Sequence, residues 1–168
     1  MSVAERLFGF QGRIRRRDWW LLVLGIVVIE TTLSLGALYA LSGPSAPWFG
    51  PESIFLRPDP KGFAVFAAEI QALFLPTLIA ITVQRRHDCG VRGWFAALVQ
   101  LAIYADARLR DIHWFGLPHV FGPGLELLSA VGSLWLLFVL GVEPGTPGPN
   151  QFGPSPKPDR MSAAAEVA

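Results

Sequence analysis

The sequence predicts an all-α protein: a polytopic bundle of four transmembrane helices, the third of them short, with both termini cytoplasmic. Three observations lead there. Hydrophobic residues make up 52% of the 168-residue chain and charged residues 16%, too few polar groups to cover a soluble domain of that size. The apolar residues are gathered into long runs almost free of charge. Arg6, Arg13, Arg15, Arg16 and Arg17 crowd the first seventeen positions although the net charge is only +1, and such segregation of cations orients membrane helices.

Residues 21–41 form a run of 21 with one charge, Glu30; as a helix it spans about 32 Å, the thickness of a bilayer's hydrocarbon core. Its apolar stretch exceeds that of a signal peptide, and Leu38 and Tyr39 make a poor cleavage site, so an uncleaved anchor is expected. Residues 63–83 repeat the pattern with Glu69 as the single charge. Pro76 is expected to kink this helix, its freed carbonyl being satisfied by neighbours. Residues 94–105 number only 12, about 18 Å of helix, and continuation to residue 109 with Arg108 snorkelling to the headgroups would complete a crossing. Residues 125–142 carry one charge, Glu126, and make the fourth helix.

The connections at 42–61, with five prolines, and 104–119 are then outer loops. Residues 1–142 form the membrane domain, and 143–168 a tail whose six prolines and three glycines preclude a long helix or strand, disordered beyond 156. Counting Lys and Arg places ten with the amino terminus, the loop at 84–93 and the tail, against four on the other side. The positive-inside rule therefore puts both termini and the central loop in the cytoplasm. Cys89 is the single cysteine, which excludes an internal disulfide and a multi-cysteine metal framework.

Three short motifs border the apolar runs. Phe10, Gly12, Arg13, Arg16, Trp19 and Trp20 precede the first; Arg85, His87, Asp88, Gly90, Gly93 and Trp94 separate the second from the third; Gly145, Thr146, Gly148, Asn150, Phe152 and Gly153 follow the last. In this order and spacing they resemble the DUF805 family of small bacterial inner-membrane proteins, over roughly residues 7–156. The chain departs from that pattern at Gln84, where the family has arginine, at Arg86 (leucine) and at Arg92 (serine). The resemblance implies an inner-membrane location and candidate residues, but no reaction.

His87 beside Asp88 invites a general-base reading, yet adjacent side chains on one turn rarely reach that geometry, and no serine, lysine or second carboxylate accompanies them. The preferred reading is that Asp88 caps a turn or pairs with Arg13 or Arg16. Cys89 occupies a position where the resembled family has threonine, which argues against a nucleophile. Trp19, Trp20 and Trp94 are expected as interfacial anchors, and Gly12, Gly90 and Gly93 as tight turns. Thr32, Gly36 and Ala40 on one helix and Ala64, Ala68 and Ala72 on the next permit close packing within the bundle or in a homo-oligomer.

The expected function is non-enzymatic: a cytoplasmic collar of Arg13, Arg16, Arg85, His87, Asp88 and Asn150, completed by a folded-back tail, that binds anionic lipid headgroups or a membrane-protein partner. No cofactor, metal or nucleic acid is expected. The alternative is a small proton- or ion-conducting bundle in which Glu30 and Glu69 meet as a hydrogen-bonded pair beside Gln71.

Overall fold

In a computed structural model the described residues form four helices, α1 (Arg16–Ser42), α2 (Pro60–Asp88), α3 (Trp94–His113) and α4 (Gly122–Gly141). The structure describes residues 7–42, 60–113 and 122–156; the expected loop at 42–61 and the tail beyond 156 lie almost wholly outside them. Among the described residues there is no strand, only an isolated bridge between Asn150 and Gly153. Among the described residues two stretches, Arg16–Ala37 and Gly124–Gly141, are long and apolar enough to cross a membrane.

The helix ends differ from expectation for physical reasons. α1 starts five residues before position 21, where the Asp18 carboxylate in its first turn complements the helix dipole. α2 continues five residues past Val83, so Gln84 to Asp88, expected in a loop, are helical. Their side chains find partners inside the protein instead of in water, which lets the helix keep them. Pro76 lies within this helix without ending it.

α3 runs to His113, four residues past the expected end, and its 20 residues measure about 30 Å. It is not short, and residues 110–113, expected as loop, are its last turn. Arg108, expected at the headgroups, instead donates from Nη2 to Gln71 Oε1 on α2 at 2.8 Å and lies over the Tyr104 ring.

α2 ends in a Schellman motif. Val91 N–H donates to Arg86 O at 3.1 Å and Gly90 N–H to His87 O at 3.0 Å, with Gly90 at φ 76°, the left-handed conformation this cap requires. Gly93 then lets the chain turn into α3 against α2, because a Cβ there would lie 2.5 Å from Val83 Cα.

α2 packs against the other three helices, and α4 closes the bundle against α1. The buried cluster of Ile14, Trp19, Ile26, Ile81, Ala96, Leu136, Val139 and Leu140 sits where α1 and α3 begin and α2 and α4 end. Elsewhere the distribution is inverted relative to a water-soluble protein: Leu73 is 71% and Leu134 68% exposed, whereas Arg85 and Gln84 are 0% exposed. Apolar surface outside and charge inside is the arrangement that lipid favours. Thr32 and Gly36, expected at a helix contact, are exposed, and a Cβ on Gly36 would meet nothing within 4 Å.

Gly93→Ala should destabilise the protein by about 1–3 kcal/mol through overpacking against the α2 backbone. Gly25→Ala, whose Cβ meets nothing within 4 Å on α1, should be neutral or stabilising by up to about 1 kcal/mol. Unfolding of the two variants in mixed micelles checks the contrast.

Candidate functional site: a buried arginine and aspartate collar

The three motifs meet at the end of the bundle where α2 and α4 finish. Asp88, on the last turn of α2, is buried, and two guanidinium groups converge on its carboxylate. Arg13 donates to Oδ1 from Nε at 3.2 Å and from Nη2 at 3.1 Å, and Arg85 donates to Oδ2 from Nη1 at 2.6 Å. The side chains of Arg13, Arg85 and Asp88 are 1%, 0% and 4% exposed. Burying such ions costs several kcal/mol each unless every donor is satisfied, and here the remaining donors find backbone carbonyls.

Arg13 secures the tail. Its Nη1 donates to Gly148 O at 2.7 Å and Gly153 O at 3.3 Å, and its Nη2 to Thr146 O at 2.8 Å. Arg85 secures the end of α4, donating from Nε to Leu140 O at 2.8 Å and from Nη2 to Glu143 O. Arg16 reaches Val142 O at 3.1 Å and the Trp20 indole N–H reaches Gly141 O at 3.1 Å. The last carbonyls of a helix lack intrahelical donors and form the negative end of its dipole; cationic and indole side chains supply those donors here. Arg86 adds an ion pair to Glu143 at 2.6 Å.

The tail caps α2 in return. Asp88 O accepts from Thr146 N at 2.8 Å and from Thr146 Oγ1 at 2.9 Å. Asn150 Nδ2 donates to His87 O at 2.9 Å and to Thr146 Oγ1 at 3.0 Å, and Asn150 Oδ1 accepts from Phe152 N at 2.9 Å. Gly145 permits the approach, since a Cβ there would overlap the Asp88 carboxylate. On the amino-terminal side Ile14 N–H donates to Gln84 O at 3.3 Å, and Gln84 Nε2 donates to Gly9 O.

His87 does not bond to Asp88. Its Nδ1 faces Gly12 O at 3.3 Å, which can only accept, so Nδ1 carries the proton; its ring stacks on Phe152 at 3.9 Å and 6°. Burial holds its pKa below the ordinary imidazole value, opposed by the Gly12 hydrogen bond. With the Asp88 carboxylate occupied by two arginines, no base and orienting acid are assembled. Cys89 is half-buried, and burial is the main influence that raises its pKa, the reverse of an activated thiol.

All six residues of the expected collar thus come together, but Arg13, Arg85 and Asp88 form its interior. Thr146, Gly145 and Glu143 belong to the site as well. The first two lay in a recognised motif; Glu143 had no signal except its place opposite a helix of arginines. The intramembrane pair does not form: Glu69 is exposed, Gln71 is taken by Arg108, and Glu30 Oε1 is buried with no hydrogen-bond partner.

Fold and site together define a small all-helical protein, apolar outside, whose ends are tied by charge at one pole of the bundle. It belongs to the DUF805 family, described as proteins of unknown function, which matches residues 7–154. The chain is 27% identical over 157 residues to inner membrane protein YhaH of Escherichia coli strain K12, covering 94% of each. It is 28% identical over 158 residues to uncharacterized protein YiiR of the same strain, covering 91% of this chain and 89% of that one. No solved structure matches it.

Asp88→Ala should cost about 3–5 kcal/mol, because it strands two buried guanidiniums, and Asn150→Ala about 1–2 kcal/mol from its lost cap. In both variants limited proteolysis should cut faster within residues 143–156, and a double-mutant cycle should give a coupling of at least about 0.5 kcal/mol. Independent effects would contradict a shared site.

Docking of the tail should also weaken with acid. His87 is held neutral in the folded state, so the unfolded chain takes up its proton first, and stability falls as pH drops below about 6.5. Hydrogen exchange of residues 145–156 between pH 7.5 and 5 should show the loss, and His87→Gln should remove this component.

Proposed function

We propose that the chain is an integral protein of the bacterial inner membrane, crossing it four times with both termini and the collar on the cytoplasmic side. It acts without catalysis, by engaging anionic lipid headgroups around the collar. The crossing is supported by the exposed apolar helix faces and by similarity to a protein named as an inner membrane protein. The orientation is supported by the ten cations against four.

One observation carries the lipid reading, the division of labour among the arginines. Arg13 and Arg85 are consumed by the fold. The side chains of Arg15 and Arg92 make no hydrogen bond or ion pair with the described residues, and the Arg17 side chain, 79% exposed, has only a loose 3.7 Å contact with Asp18. Arg15 and Arg17 precede the exposed Trp20, and Arg92 the exposed Trp94, within five residues in sequence; these indoles are of the kind that settle at headgroup depth. Each cation near an anionic surface contributes about 1 kcal/mol.

In vesicles containing the full chain, spin-labelled phosphatidylglycerol should be motionally restricted more than spin-labelled phosphatidylcholine. Arg15→Gln with Arg17→Gln should reduce that preference several-fold. Equal restriction of the two lipids by the wild-type chain would sink the lipid reading, and alkaline phosphatase active at either terminus would sink the orientation.

A further inference from the structure

Between α2 and α3, beneath Phe10, runs a groove of about 580 Å³. Its walls are Ile79 and Val83 from α2 and Ala97 and Leu98 from α3, so it is apolar along its length. His87 and Arg92 are the charged or titratable residues of its lining. Gly93, seated on the Val83 backbone, fixes the spacing of the two walls. His87 is engaged with Gly12 O and Phe152, which leaves Arg92 as the permanent charge of the lining. Arg92 is exposed and has no partner among the described residues.

We propose that this groove seats one phospholipid with an anionic headgroup, held by Arg92, with an acyl chain lying along Ile79, Val83, Ala97 and Leu98. The proposal rests on the reading of the collar as lipid-facing and makes one part of it a discrete site. Charge complementarity selects the occupant: an unpaired guanidinium in the lining matches an anionic phosphodiester headgroup, and the apolar walls match a hydrocarbon chain. A soluble anion would gain nothing from those walls, and an apolar helix from another protein would gain nothing from Arg92.

The full chain, purified in a mild detergent, is titrated with palmitoyl-oleoyl phosphatidylglycerol or phosphatidylcholine and read by native mass spectrometry. One phosphatidylglycerol adduct per chain is expected, retained over phosphatidylcholine, about five-fold weaker in Arg92→Gln. It should be lost in Ala97→Phe, whose ring fills the groove. Equal retention of the two lipids, or an undiminished adduct in Arg92→Gln, overturns the proposal; because Arg92 is exposed and partnerless, that variant decides even if Ala97→Phe misfolds. A dimer of the chain in place of the adduct, dissociated by Ala97→Phe, overturns it too. Loss of the adduct in Arg15→Gln with Arg17→Gln but not in Arg92→Gln would leave the collar reading standing while removing the groove.

Discussion

The carboxylate of Asp88 is the point on which this structure depends. Two arginines from distant parts of the chain share it, and neither could be buried without it. Arg13 brings the amino-terminal segment and Arg85 the end of α2, and each spends its remaining donors on carbonyls of α4 or the tail. The cluster carries more positive than negative charge. That imbalance is tolerable because the acceptors around it include the carbonyl ends of two helices, whose dipoles present partial negative charge there. In a bilayer, where apolar side chains gain little by facing one another instead of lipid, such a polar knot specifies the arrangement of helices better than apolar contact does.

The three motifs were legible in the sequence, and so was their convergence, because arginine, aspartate, asparagine and glycine at the borders of apolar runs have few other uses. Their depth was not legible. Reading charge as surface placed residues 84–88 in a loop, whereas their partners draw them into helix; the same habit ended α3 at residue 109, four residues before its end at His113. A local charge count sees the cost of burying an ion but not the distant acceptor, which for Arg85 at Leu140 lies 55 residues away in sequence and for Arg13 at Gly153 lies 140. The pairing of Glu30 with Glu69 failed for a related reason: helical rise gives depth, but not the azimuth that turns Glu69 outward.

Private features of the chain sit on a shared frame. Residues 10–20, 85–94 and 145–153 carry the motif positions, and the family match covers 7–154. Arg86 and Arg92 depart from the resembled pattern. Arg86 joins the knot through Glu143, whereas Arg92 stays outside it in the lining of a groove. A departure that is absorbed by a new ion pair reinforces the frame; one that remains unpaired is available for something outside the chain.

The order in which the ligands of Arg85 are synthesised has a consequence for biogenesis. Its partners Leu140 and Glu143, and the Thr146 and Gly148 carbonyls that Arg13 needs, lie in the last part of the described chain. During translation the amino-terminal segment and α2 are made long before the acceptors that neutralise and cap them. Until α4 and the tail have been made, these arginines lack the carbonyls that satisfy them in the bundle, and their burial waits for those segments. Closure of the tail is therefore the final event of assembly, and a chain interrupted before it would present exposed guanidiniums and an uncapped α2 to the quality-control machinery.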